Sequence, residues 1–258
     1  MSGSALRIVS LLPELLGTYG DGGNAEVLAW RVRARGLLVE IEEVRHGQQV
    51  PLEADLYLLG GGEDDAQAAA TEALRGPALP AVMSRGTPIF AVCAGLQLLG
   101  RSFTAADDSA IQGLGLLDLT TTRLPHRAVG ETLVTPDELL QLPPVSGFSN
   151  HGGLTVLGPS ARPFGAVTHG PGNAGAGDPT EGVLQGSVIG TYLHGPVLAR
   201  NPALADHLLS LALGYSLDPL PAGPPEQLHL ERVRAARTGE GTPPWRFLKT
   251  RRNSEAAS

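Results

Sequence analysis

Cys93 is the chain's one cysteine, and it sits where a nucleophile would sit. It follows the apolar run Pro88–Val92 and precedes a helical stretch, AGLQLLGR. A strand-to-helix turn of this kind is tight and needs small neighbours, which Ala91, Ala94 and Gly95 supply. A helix start facing the sulfur favours thiolate, and the Ala94 N–H is placed to meet a developing oxyanion. The ordinary alternative is a buried structural thiol. With one cysteine, no disulfide forms within the chain, which fits a reducing compartment.

A cysteine nucleophile needs a base. Of the seven histidines, His194 ends the apolar run Val188–Leu193 in YLHGP, where strand ends carry catalysis. His151, in SNHGG, is its competitor, and His207 reads as structural within a helix. The loop LLGGGEDD follows another apolar run and offers backbone N–H groups for an anion or oxyanion pocket. The histidines are scattered without metal-ligand spacing. Neither this loop nor the earlier glycine-rich stretch YGDGGN carries the Lys-Ser/Thr pair that grips phosphate. No metal and no cofactor are expected.

The elements that must position these residues alternate between strand and helix. Ala5–Leu12, Leu37–Val44, Asp55–Leu59 and Pro88–Val92 read as strands. Helices are expected after Asn24, as N-cap, and after Asp64 or Asp65. This spells an α/β chain with a mostly parallel central sheet flanked by helices. Short β-like runs follow at Leu114–Leu124, Glu131–Val134, Val145–Phe148, Leu154–Leu157, Phe164–Thr168 and Val188–Leu193. Asn201–Leu213 reads as a helix. Residues 5–214 form the expected domain. Residues 215–258 form a Pro- and Arg-rich tail, with one short helix near Glu226–Arg237 and little core of its own, expected to be dispensable for folding.

Composition limits the function. In 258 residues, 42% are hydrophobic and 17% charged, which excludes a disordered chain. The net charge of −7 argues against a general nucleic-acid partner. No apolar run approaches ~18 residues, so no membrane insertion is expected, and a cytoplasmic protein is the natural reading.

These motifs together resemble class I glutamine amidotransferases. The elbow AVCAGLQLLG, the earlier loop LLGGGEDDAQ and the late TYLHGP occur in that family's order, over roughly residues 5–213. A narrower resemblance rests on YGDGGN, GGGEDDAQ, VCAGLQLLG, GLGLLDL, SGFSNHGG and GTYLHGP. It points to the glutaminase subunits of lipid II isoglutaminyl synthases, in the branch shared with the glutaminase domain of cobyric acid synthases.

The resemblance implies a flavodoxin-like fold and hydrolysis of L-glutamine. It also implies a heterodimer with a Mur-ligase-like synthetase subunit that amidates the D-glutamate of the lipid II stem peptide to D-isoglutamine. It assigns Cys93 as nucleophile and His194 as base. Arg127 becomes the grip on substrate glutamine, suited to a carboxylate by its planar fork, and Gln97 a pocket-lining residue. Gly62 and Ala94 become oxyanion-hole donors, with Gly61 giving that hole its backbone freedom. Many class members carry a Glu two residues after the histidine, where this chain has Pro196. The orienting acid must then come from elsewhere: Asp21, or, as the narrower resemblance implies, a carboxylate of the partner, which would leave the isolated chain a poor glutaminase.

Three other functions compete: the glutaminase of a cobyric-acid-type synthase, a non-catalytic regulatory subunit on the same fold, and a DJ-1-like cysteine hydrolase. The first usually carries a fused synthetase domain, which is not expected in a chain that opens on the amidotransferase-like strand. Retention of both Cys93 and His194 argues against the second. The third needs no Arg127-type clamp.

Overall fold

The computed structural model describes residues 4–238. Its first half runs β1 (Leu6–Leu11), α1 (Gly23–Arg33), β2 (Val39–Val44), β3 (Leu56–Leu59), α2 (Asp64–Ala73), α3 (Ala78–Ser84), β4 (Ile89–Val92) and α4 (Ala94–Leu99). Short strands β5 (Ser102–Thr104) and β6 (Ala110–Gln112) lead to two long ones, β7 (Leu119–Pro136) and β8 (Val145–Leu157). Then come β9 (Gly165–His169), β10 (Pro171–Gly172), β11 (Gly175–Ala176), β12 (Thr180–Glu181), β13 (Val183–Gln185), β14 (Val188–Thr191) and β15 (Leu193–His194). Helices α5 (Val197–Arg200), α6 (Pro202–Leu213) and α7 (Pro224–Thr238) close the described chain.

The central sheet has the order β13-β14-β4-β3-β1-β2. All its pairs are parallel except β13 with β14. Strands β3 (LYLL) and β4 (IFAV) are buried at every residue, as continuous apolar runs in the middle of a parallel sheet must be. Strand β2 (VEIEEV) alternates and lies at the edge. Helices pack as two groups, α1 with α5 and α6, and α2 with α4. Helix α6 has Pro202 in its first turn and ends at Gly214, whose φ of 75° suits a residue without Cβ.

The second half is more continuous than the pattern predicts. The runs 114–124 and 131–134 fall largely within β7, and 145–148 with 154–157 form β8. Pro125 and Gly130 on one strand, and Gly152-Gly153 on the other, interrupt the apolar alternation without ending the pairing. The register instead shifts between Arg123 and Ala128, so residues 124–127 stand opposite Gly152 alone. Such a bulge re-aims side chains, and Arg127 is one of them.

One further expectation changes, at Asn24. Asn24 does not cap α1, because Gly22 holds that position. The Asn24 carboxamide instead accepts the Leu198 N–H at 3.1 Å and ties α1 to α5. Helix α3, which starts after Pro77 and carries Pro80 in its first turn, is an element additional to those expected. The tail helix forms where it was expected, near Glu226–Arg237, and it has contacts with the domain. Helix α7 packs on α5, β7 and β8, His229 Nδ1 lies 3.0 Å from the Arg200 carbonyl, and Ala236 is buried. The rest of the expected tail, 239–258, lies outside the described residues. No described helix is long and apolar enough to cross a membrane.

Candidate active site

Strand β4 delivers Cys93 at the carboxyl edge of the sheet. Its backbone has φ 51° and ψ −107°, a strained conformation for a residue with a Cβ. Two hydrogen bonds hold the turn. The Cys93 N–H donates to Thr191 O at 2.8 Å, and the Gly95 N–H donates to Gly60 O at 3.1 Å. A Cβ on Gly95 would stand 2.7 Å from Leu59 Cβ, so the second small neighbour is a steric requirement.

His194 reaches the same point from β15, which leaves the central sheet after β14 to pair with β8. Its Nδ1 lies 3.0 Å from Asp21 Oδ2 and 3.2 Å from Oδ1, and both side chains are buried. Asp21 Oδ2 also accepts the Gly61 N–H at 2.8 Å. Gly61 has to be glycine. An added Cβ would stand 2.7 Å from His194 Cε1, 3.0 Å from Asp21 Oδ2 and 3.4 Å from Cys93 Cβ. The sequence resemblance pointed to a partner carboxylate behind His194. The structure fills that position from within the chain, with Asp21 of the YGDGGN turn.

Burial disfavours a charged His194 ring, but the hydrogen bond with Asp21 and the nearby Cys93 sulfur outweigh it, and the histidine is pushed up to about 10. A protonated imidazole beside a thiol is the pairing that supplies a thiolate nucleophile. His151 behaves oppositely. It is buried and stacked on Tyr192, with ring centroids 3.8 Å apart. Its Nδ1 is engaged with Gly153 O at 2.8 Å. Burial pushes it down to about 4 and keeps it neutral. The two candidate bases are thus separated by environment.

The oxyanion donors divide as well. The Gly61 N–H is committed to Asp21, and Gly61 itself supplies the clearance that its neighbours need. The N–H groups of Gly62 and Ala94 have no hydrogen-bond partner among the described residues.

Arg127 lies exposed at the mouth. Its Nε donates to Asn150 Oδ1 at 2.5 Å, and one terminal nitrogen reaches Asn150 O at 3.2 Å and the Tyr19 hydroxyl at 3.3 Å. Tyr19 links this clamp to the base. Its ring edge meets His194 at 4.9 Å between centroids, and its φ is 63°. Sequence reading passed over Tyr19 as part of a glycine turn. The signal was available: an aromatic two residues before Asp21 in that turn.

Both polar atoms of the Gln97 carboxamide hold a partner within the chain. Its Oε1 accepts from Gln67 Nε2 at 2.9 Å, and its Nε2 donates to the Tyr192 hydroxyl at 3.0 Å. That hydroxyl continues to Thr155 and Thr121. Gln97 therefore ties α4 to α2 and to the start of β15. Among the described residues no cluster of His, Cys, Asp and Glu is arranged to hold a metal ion.

Residues 7–202 match the CobB/CobQ-like glutamine amidotransferase domain. The chain belongs to that family. It is 33% identical over 210 residues to the lipid II isoglutaminyl synthase (glutamine-hydrolyzing) subunit GatD of Staphylococcus aureus, covering 80% of this chain and 84% of that protein. Identity to the GatD subunit of Streptococcus pneumoniae is 32%, covering 81% and 80%. The cobyric acid synthase of Sphingopyxis alaskensis is 36% identical over 67% of this chain, but over only 34% of its own length. The glutaminase domain of a Trypanosoma brucei CTPS shares the fold, with a TM-score of 0.52 at 13% identity, covering 86% of this chain and 99% of that one. The chain is thus a glutamine-hydrolysing amidotransferase of the α/β class.

Proposed function

We propose that Cys93, His194 and Asp21 hydrolyse L-glutamine. The carrying observation is the meeting of a strained cysteine elbow with a buried, raised histidine held by an aspartate of the same chain. Arg127 would grip the substrate α-carboxylate. The Cys93 sulfur attacks the side-chain carboxamide carbon, and the carbonyl electrons move to oxygen, facing the N–H groups of Ala94 and Gly62. The C–N bond then breaks as His194 gives its proton to nitrogen, and ammonia leaves a glutamyl thioester. Water attacks the thioester and gives a proton to His194. The C–S bond breaks, releasing glutamate and restoring the thiolate.

The ammonia, we propose, passes to a Mur-ligase-like synthetase subunit that amidates the D-glutamate of the lipid II stem peptide, with the two chains forming a cytoplasmic heterodimer. Support comes from the match to GatD subunits over four fifths of both chains. The cobyric acid synthases match over only a third of their length. The test is glutamine-dependent amidation by the two-chain complex. Cys93→Ala is expected to abolish it and leave ammonium-driven amidation intact. Glutamine-dependent amidation by Cys93→Ala at the wild-type rate would overturn the reading.

A further inference from the structure

Glu181 is a carboxyl with no exposure at all, and the reaction above does not use it. Burying a carboxyl is costly unless its partners compensate. Here one oxygen is doubly engaged and the other bare. Oε1 accepts the Thr191 hydroxyl at 2.8 Å and the Tyr192 N–H at 2.6 Å, whereas Oε2 has no hydrogen-bond partner among the described residues. Burial pushes this carboxyl up to about 7.

The segment it holds is the pivot of the site. Strand β14 ends at Thr191 and β15 begins at Leu193, so the chain leaves the central sheet across Tyr192. The Thr191 hydroxyl that donates to Glu181 also accepts the Leu193 N–H at 3.1 Å. The Thr191 carbonyl receives the Cys93 N–H at 2.8 Å. Three consecutive residues before His194 are thus fixed to one carboxylate oxygen, directly or through one hydroxyl, and the first of them, Thr191, also anchors the elbow.

Glu181 is itself clamped. Asn173, also buried, donates Nδ2–H to Gly182 O at 3.0 Å and accepts the Gly182 N–H at 2.7 Å. Gly182 has φ 65°, and a Cβ there would stand 2.3 Å from Gly190 O. The carboxyl is delivered to the pivot from a rigid turn.

We propose that Glu181 is a positioning residue, fixing the Thr191–Leu193 pivot and thereby aiming His194 at Cys93 and Asp21. This rests on the proposed roles of Cys93 and His194. It separates Glu181 from a purely structural part, because misplacing His194 affects proton transfer more than glutamine binding.

The test compares Glu181→Leu, Glu181→Gln and Thr191→Val by glutaminase kinetics and by the pH profile of Cys93 alkylation with iodoacetamide. Leu keeps the volume and removes the acceptor. Its kcat is expected to fall about tenfold or more with KM within twofold, and the alkylation profile to shift. Gln, which can still accept through one oxygen, is expected to restore kcat to within about threefold. Thr191→Val is expected to lower kcat in the same direction, and it decides the matter if the Leu variant does not fold. Folded Leu and Val variants with wild-type kcat, or a Gln variant as slow as Leu, would overturn the proposal. Cys93→Ala separates the two failures. If it is inactive while Glu181→Leu runs normally, only the role of Glu181 falls. If it still releases ammonia, the nucleophile assignment falls.

Discussion

Asp21 and His194 are 173 residues apart in sequence, and Asp21 Oδ2 is 3.0 Å from the imidazole Nδ1. The same carboxylate oxygen accepts the Gly61 N–H, so the acid is locked in orientation. An acid in this position fixes the tautomer and stabilises the imidazolium. Asp21→Asn can keep an oxygen for Gly61 but then turns an amide toward the ring. Turnover of glutamine is expected to fall by about 10²–10⁴ with little change in KM. The measurement is steady-state ammonia release by the purified chain. An unchanged kcat would mean that the acid acts from elsewhere.

Arg127 reaches the site from a bulge and rests on Asn150 and Tyr19. Losing a charge-assisted contact to substrate costs about 1.5–3 kcal/mol, so Arg127→Ala is expected to raise the glutamine KM by roughly 10- to 150-fold. Arg127→Lys restores only part of it, since an ammonium lacks the planar fork. Tyr19→Phe removes the hydroxyl but keeps the ring edge against His194, so KM rises by less than Arg127→Ala causes and kcat holds. Glutamine titrations of the three variants check the order, and wild-type KM in both Arg127 variants would remove that side chain from the substrate.

His194 owes its raised position to Asp21 and Cys93 together, against burial. Its folded value of about 10 lies above the unfolded value near 6.5, so the native state binds the extra proton. That stabilisation is fully present below about pH 6.5 and is lost as pH rises through about 10. Cys93→Ala removes one of the two supports, and the imidazole of the variant is expected to titrate lower. Histidine resonances followed by NMR across pH 6–11 give the comparison. Superimposable His194 curves would show that the thiol contributes nothing.

The elbow, the glycine loop and the late histidine were legible in the sequence because each is local: a buried run, small residues, then one reactive side chain. The parallel strands were legible for the same reason, as continuous apolar runs such as LYLL and IFAV. Gln97 was visible as a residue one turn after Cys93, but its partners Gln67 and Tyr192 come from other elements, and no local pattern announces those bonds. Glu181 was invisible because its meaning lies in a crossover between two sheets. Strands β7 and β8 were read as fragments because a bulge and several glycines break the alternation without breaking the ladder.

His151 gives an acid-side prediction. Its folded value of about 4 lies below the ordinary 6.5, chiefly through burial, so the unfolded chain takes up a proton that the native ring refuses. Native stability is therefore unaffected above about pH 6.5 and declines as pH falls toward 4, by at most about 3 kcal/mol. His151→Gln removes this titration. Its stability is expected to depend less on pH between 6.5 and 4 than that of the parent, as read from urea midpoints at several pH values. Parallel profiles would assign the acid sensitivity to other groups.

The composition of the tail argues that it adds little to stability, and its contacts argue otherwise. Helix α7 begins with a local cap, in which the Gly223 N–H donates to Glu226 Oε2 at 2.8 Å. Glu226 Oε1 also stands 3.7 Å from a terminal nitrogen of the buried Arg31, which Asp206 grips through two bonds of 2.6 and 2.7 Å. Removing α7 leaves Arg31 its principal partner, so that ion pair survives. A chain ending at Gly214 loses the His229 contact to α5, the burial of Ala236 and the cover over β7 and β8, and also the Asp218 carbonyl that accepts from Arg35 at 2.8 and 3.2 Å and the Leu217 N–H that donates to Ser210 Oγ at 3.3 Å. Half of these bonds are exposed, where water replaces them, so together with a modest apolar area they are worth about 1–3 kcal/mol. At roughly 2–4 °C per kcal/mol for a domain of this size, a chain ending at Gly214 is expected to melt about 2–12 °C lower, still in one cooperative transition. Since β7 carries Arg127 and β8 carries Asn150, the same truncation is expected to raise the glutamine KM before it touches kcat. Calorimetry and glutamine titration on the shortened chain test both halves. An unchanged melting temperature would mean that α7 does not hold its place in solution.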